Sequence, residues 1–373
     1  MRLRNYNIRN TEDIITPALV YYKEGLLENA AKLIEMAGGA GNLWPHVKTH
    51  KSADMVHMLM GLGICRFKCA QIAELEMVCR AGAKAAILAY PPSGPTPVRA
   101  AKLMKAFPDT EIYYIVDCKE HIDAYAEAAE KENSKFCLLM DVNFGMNRTG
   151  SALNRAEELF AYAAGKEGVE CVGFHCYDGD RHEEIEKRRE IVCEADRRAL
   201  QARKQLREKG YRAELIVLGG SPSFPCHVDC KEDNVFYSPG TLFINDVNYS
   251  TDFPDLDFPP AAAVMTRVVS HPAEGYFTLD CGYKGISCDG PMEKRGLLVG
   301  CGHCRPVLQN EEHYVFCMDP GYEDQAPKIN EVLYLIPGHI CPNAVLYPEI
   351  LIAENGEITD RWKTVARDRK NTF

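Results

Sequence analysis

The 373-residue chain has no window of about eighteen consecutive apolar residues, so no membrane-crossing helix is expected. It has no surplus of positive charge either: 43 Lys and Arg face 53 Asp and Glu, a formal charge of −10. Nucleic acid is therefore not an expected partner, because phosphate-backbone affinity leans on clustered Lys and Arg. No fixed-period repeat or low-complexity tract is present. With 46% hydrophobic and 26% charged residues the composition is that of a globular protein, which excludes a wholly disordered or fibrous chain. The opening Met1-Arg2-Leu3-Arg4-Asn5-Tyr6-Asn7 carries charge with no apolar segment behind it, and is not read as a secretory signal.

Cysteine, by contrast, is abundant. Several of the 16 lie inside apolar runs, as Cys137 does in Lys135-Phe136-Cys137-Leu138-Leu139-Met140, where a thiol acts as a small hydrophobe. Without a secretion signal, free thiols and a cytoplasmic location are expected rather than a disulfide framework.

Eight strand-like stretches follow one another at residues 44–50, 65–70, 83–90, 111–117, 135–143, 169–177, 214–221 and 235–243. Most are near-continuous apolar runs, as expected of a parallel sheet covered on both faces. Helical patterns appear at 25–36, 99–107, 119–131 and 183–208. Eight alternations predict an α/β fold, a (β/α)8 TIM-type barrel, with a doubly wound open sheet as the alternative. Beyond residue 243 the texture changes: a Pro/Asp-rich connector at 251–260 leads into short β-like runs punctuated by Gly, Pro and Asn. A second, C-terminal all-β domain is predicted there. The expected division is a barrel over 14–243 and a β-domain over 244–373, with residues 1–13 joining the β-domain.

Functional groups of a parallel barrel sit at the C-terminal ends of its strands. The first strand ends in Pro45-His46-Val47-Lys48-Thr49-His50-Lys51, the fifth runs into Gly145-Met146-Asn147-Arg148-Thr149-Gly150, and the seventh ends in Gly219-Gly220-Ser221-Pro222-Ser223. A lysine inside a strand-like run must be paired or functional, and a buried lysine of lowered pKa is a natural Schiff-base former. Arg148 could cap a helix or bind an anionic oxygen. The Gly/Ser loop could be a plain turn or a cradle for phosphate. Taken together, lysine, arginine and Gly/Ser loop suit pyridoxal 5′-phosphate (PLP). His339 and Cys341, two residues apart, reach one side of a strand and could share one metal ion, or could simply be a buried polar pair. Thiolate with imidazole favours zinc, manganese and magnesium being the oxygen-preferring alternatives. Cys301-Gly302-His303-Cys304 has the letters of a dithiol redox site, but its strand–turn–strand setting lacks the helix N-terminus that such chemistry uses. Cys226 and Cys230 form a further pair that could bind zinc or stay as plain thiols.

These motifs, in this order, resemble those of the D-threonine aldolase and eukaryotic-type D-serine dehydratase family, a branch of the alanine-racemase-like, fold-type III PLP enzymes. The resemblance extends to Leu279-Asp280-Cys281-Gly282-Tyr283-Lys284, to Ser287-Cys288-Asp289, to Glu311-Glu312-His313 and to Pro337-Gly338-His339-Ile340-Cys341. It implies that Lys48 holds PLP as a Schiff base, that Arg148 contacts its phenolic oxygen, and that Tyr177 lies against it. It further implies that Gly220 and Ser221 bind its phosphate and that His339 and Cys341 hold a divalent metal beside the substrate's β-hydroxyl. The family also implies a homodimer and a small D-amino-acid substrate. Leu242, after Thr241, departs from the family's aromatic. The expected activity is a metal-dependent lyase on β-hydroxy D-amino acids: dehydration of D-serine or D-threonine, with D-threonine aldol cleavage as the alternative. An amino-acid racemase and a non-catalytic PLP-binding protein are the remaining readings.

Overall fold

The computed structural model describes all residues, 1–373, and the chain falls into two compact units. One comprises Met1–Lys32 with Thr241–Arg367, the other Leu33–Gly240 with Asp368–Phe373. Strand β1 (Ala18–Tyr22) belongs to the first.

The second unit carries seven strands: β2 (Arg66–Cys69), β3 (Ala85–Leu88), β4 (Glu111–Val116), β5 (Phe136–Asp141), β6 (Val169–Cys176), β7 (Leu215–Leu218) and β8 (Val235–Tyr237). They lie in sequence order, every neighbouring pair parallel, with helices in the connections. Residues 43–46 join the two edges: Leu43 bridges Tyr237 on β8 and His46 bridges Lys68 on β2, both in parallel sense. The Trp44 N–H donates to Tyr237 O at 2.7 Å and the Lys68 N–H to Pro45 O at 2.8 Å. This short seam stands as the eighth member of the predicted barrel.

The interior is packed by alternate residues of the strands, as the period of two demands. Trp44, Ile87, Ile115, Leu139, Val217 and Phe236 form its core. The Trp44 indole stands edge-on to Tyr113 and Phe236, with centroids 5.6 and 5.3 Å away.

Two predicted strands end early. The run 44–50 turns after His46 into a 3₁₀ turn, Val47–Thr49, because the His46 ring Nδ1 accepts the Lys48 N–H at 3.3 Å. The run 235–243 stops at Tyr237, since Pro239 cannot donate to a ladder, and Thr241–Phe243 is a 3₁₀ turn.

The first unit is predominantly β. After β1 come β9 (Ala262–Ser270), β10 (Tyr276–Leu279), β11 (Gly296–Leu298), β12 (Cys304–Gln309), β13 (Tyr314–Met318), β14 (Val332–Pro337), β15 (Glu349–Glu354) and β16 (Glu357–Lys363). The order is β12-β13-β10-β9-β1-β15-β16, with β14 pairing both β9 and β11. β1 runs antiparallel to β9 and parallel to β15. Residues 14–32, read from sequence with the barrel, thus group with the β unit, while 368–373 group with the barrel. The cause is packing: Val20 and Tyr22 of β1 share a core with Ala263, Met265, Tyr334 and Leu351. No helix of the chain is long and apolar enough to cross a membrane. All 16 cysteines are free.

Candidate active site

Lys48 lies in the 3₁₀ turn two residues past the seam, half-buried. Its Nζ is 5.9 Å from the centroid of the Tyr177 ring, which follows β6. Two more cations approach the same ring. Arg148 Cζ is 4.7 Å from its centroid and Lys68 Nζ 5.3 Å. Three of the residues read from the sequence (Lys48, Arg148 and Tyr177) therefore come together from three separate barrel loops.

The acids nearby are already engaged. Asp141, at the end of β5, holds His175 Nδ1 at 2.7 Å and accepts the Thr149 hydroxyl at 2.9 Å. Thr149 adjoins Arg148, so this contact ties the arginine loop to its strand. Asp117 accepts the Gly150 N–H at 2.8 Å and fixes the loop's far end. Burial holds the His175 imidazole below its ordinary pKa despite the Asp141 hydrogen bond, so its ring is neutral at pH 7. Burial, with Lys48 and Lys68 nearby, pushes His46 well below its ordinary value too.

Gly220 and Ser221 lie after β7, where Tyr177 packs on the backbone. A Cβ at Gly220 would meet Tyr177 Cε2 at 2.9 Å, so a side chain there would push the ring away. Ser221 Oγ accepts the Gly240 N–H at 3.2 Å, drawing two barrel loops together. Beneath them runs a buried chain of polar groups. The Ser223 hydroxyl donates to Asp178 and accepts the Gly220 N–H at 3.2 Å. His227 Nε2 lies 3.0 Å from Asp178, and its Nδ1 2.9 Å from Asp196. Burial disfavours the His227 cation, but the two carboxylates outweigh it and raise its pKa well above the ordinary value.

These residues fit a small dianionic aldehyde. Lys68 Nζ is buried without a hydrogen-bond partner, and the neighbouring carboxylates are taken. The barrel mouth thus has an excess of cations, an amine at Lys48 and a glycine-lined backbone.

In the β unit, His339 and Cys341 are not on a strand as the sequence reading had it. β14 stops at Pro337, and Gly338 packs so closely on Lys294 that an added Cβ would lie 1.8 Å from its carbonyl oxygen, so this position takes only glycine. His339 occupies the N-cap position of the helix Ile340–Ala344, without a side-chain cap bond, and Cys341 is in its first turn. The two side chains remain neighbours. Burial opposes the His339 cation, yet hydrogen bonds to Cys341 and Asp289 raise its pKa to about 9. Asp289 holds Nδ1 at 2.5 Å, which leaves Nε2 as the ring's ligand atom, the arrangement that orients metal-binding histidines. Asp246 accepts the Ile340 N–H at 3.0 Å and Ser287 Oγ donates to His339 O at 2.9 Å, so the turn is held from both sides. Cys341 Sγ lies 3.5 Å from Thr241 Oγ1. An imidazole, a thiol and an orienting carboxylate fit a divalent ion.

The remaining sequence motifs lie elsewhere. Glu311 and Glu312 form exposed ion pairs with Lys284 at 3.0 and 3.1 Å. Cys301 lies in the turn between β11 and β12, and Cys304 opens β12. Lys68 and His227 escaped the sequence reading, and Asp141 and His175 stand at the strand ends it points to without a role assigned there. Arg66 and Lys68, two charged residues at alternate positions of an otherwise apolar strand, were the available signal.

The model of the alanine racemase N-terminal domain matches residues 23–241, more than half of the chain. The chain belongs to that family. Residues 261–353 match a putative serine dehydratase domain. The chain is similar to D-threonine aldolase from Arthrobacter sp, at 26% identity over 336 residues, covering 87% of this chain and 85% of that one. Among solved structures, D-threonine aldolase from Filomicrobium marinum superposes with a TM-score of 0.87 at 24% identity, over 99% of both chains. A cysteine-to-alanine variant of D-threo-3-hydroxyaspartate dehydratase, in its metal-free form, gives a TM-score of 0.83 at 18% identity, over 94% of this chain and 98% of that one. These two share the fold of the family member described here.

Proposed function

We propose that the protein is a PLP- and metal-dependent lyase of β-hydroxy D-amino acids, working as a dehydratase on D-serine or D-threonine. The convergence of Lys48, Lys68 and Arg148 on the Tyr177 ring carries this reading. PLP would supply an electron sink for the substrate's Cα, and the metal a Lewis acid for its β-oxygen.

This chain's residues have separable tasks. Lys48 Nζ would hold the cofactor, and its amine is the group placed to serve as base toward the substrate's Cα proton. Arg148 would donate hydrogen bonds to an anionic oxygen of the cofactor, Tyr177 would lie against it, and Gly220 and Ser221 would accommodate the phosphate. His339 and Cys341 would hold the metal, with zinc favoured by the thiolate. The free thiols of all 16 cysteines support a reducing, cytoplasmic setting, and the family resemblance supports a homodimer.

Aldol cleavage is the second reading, favoured by the similarity to D-threonine aldolase. Product analysis separates the two. Purified protein is incubated with D-serine, D-threonine and D-3-hydroxyaspartate, with and without chelator. An oxo acid and ammonia identify a dehydratase; glycine and an aldehyde identify an aldolase. Absence of turnover in every metal state would refute both.

A further inference from the structure

Lys68 is the most unusual charged residue of the barrel. It lies on β2, bridged to His46, and its side chain points into the interior. It is 1% exposed and its Nζ has no hydrogen-bond partner. A fully buried lysine is almost always paired, because an uncompensated ammonium costs several kcal/mol to desolvate (about that order). The groups facing it are Lys48, Arg148, Asp141 and Asp178, with His46 and His175 beside them. Neither carboxylate is available to it. Asp141 is occupied by His175 and Thr149, and Asp178 by His227 and Ser223. Both histidines are held neutral by burial. Burial, followed by the repulsion of Lys48, lowers the Lys68 pKa to about 7.

A lysine left in this state by the protein alone is poised for an external anion. Its Nζ approaches the same Tyr177 ring as Lys48 and Arg148, so the three cations flank one space. We propose that Lys68 is a third cofactor-facing cation, whose ammonium is held by an anionic oxygen of bound PLP. This rests on the PLP reading above. An arriving anion stabilises the ammonium, so binding above pH 7 draws a proton onto Lys68.

The test uses the cofactor-depleted protein and pyridoxine 5′-phosphate, which lacks the aldehyde and cannot react with Lys48. Calorimetry at pH 8 in buffers of different ionisation enthalpy reads affinity and proton uptake together. Wild type should take up a substantial fraction of a proton. Lys68→Met should bind about tenfold or more weakly, the scale of a lost charge-assisted hydrogen bond, and show no Lys68-linked uptake. Lys68→Arg should keep the affinity yet lose the uptake, because a guanidinium stays charged. Lys68→Arg therefore decides the matter even should Lys68→Met fail to fold. Equal uptake in wild type and Lys68→Arg, or undiminished affinity in a folded Lys68→Met, overturns the inference and leaves the PLP reading standing. Failure of wild type to bind PLP or pyridoxine 5′-phosphate overturns both.

Discussion

The imidazole Nε2 of His227 lies 3.0 Å from Asp178 Oδ2, and both residues are buried. With Asp196 on the other ring nitrogen and Ser223 on the far side of Asp178, this pair forms the floor under Gly220.

His227→Gln should destabilise the protein by about 3–5 kcal/mol, because two buried carboxylates lose their cation. The sign with pH follows from the raised pKa of His227 in the fold. Its contribution is full below its unfolded value of about 6.5 and is lost as pH rises through the higher folded value. Thermal unfolding from pH 6 upward should show a wild-type midpoint that declines more steeply than the variant's. Parallel curves would mean that His227 is not protonated in the fold.

Lys48→Ala should abolish covalent attachment of PLP and the yellow absorbance that accompanies it. Turnover should fall by about 10³-fold or more, since one amine serves as anchor and base. Absorbance of the borohydride-treated protein and peptide mapping check this. A reduced pyridoxyl group found on any other lysine in the wild type would remove Lys48 from the scheme.

Asp289→Asn should leave the fold intact and weaken metal binding by about 10–100-fold, because the His339 ring loses the carboxylate that orients it. Metal content after dialysis against graded chelator measures this. Cys341→Ser and His339→Ala should lower retention further, and activity should return to Asp289→Asn with excess zinc. Undiminished retention in all three would place the metal elsewhere.

Gly338→Ala should cost about 1–3 kcal/mol as the Lys294 carbonyl is displaced. The same displacement moves His339, so metal retention should drop in parallel. Denaturant melts beside metal analysis test the coupling; a stable variant with unchanged metal content would contradict it.

The barrel was legible because most of its strands lie in contiguous apolar runs. Leu138, Leu139 and Met140 in β5 are buried on both faces and announce themselves without knowledge of their partners. The rule that chemistry at a barrel collects at strand ends pointed to the loops that carry Lys48, Arg148 and Gly220, and the motif resemblance added Tyr177. β1 was not, because its partners in β9 and β15 lie more than 240 residues away and no local pattern records that pairing. The turn at His339 was not legible because the groups that hold it, Asp246 and Ser287, lie 94 and 52 residues away in sequence. Lys68 could have been found by the argument applied to Lys48, a charge inside a buried strand. It differs from Lys48 in that a single short strand, Arg66–Cys69, surrounds it and no strand-end loop marks it.

The seam at residues 43–46 is held by single bridges on either side, far less than the continuous ladders between the other strands. Lys48 stands two residues beyond it. A ligand fastened at Lys48 and gripped at Gly220 would therefore act as a clasp across the weakest joint of the ring. Occupancy and structural integrity would rise together by mass action, so that a vitamin-starved cell would hold a floppier, more perishable form of this protein.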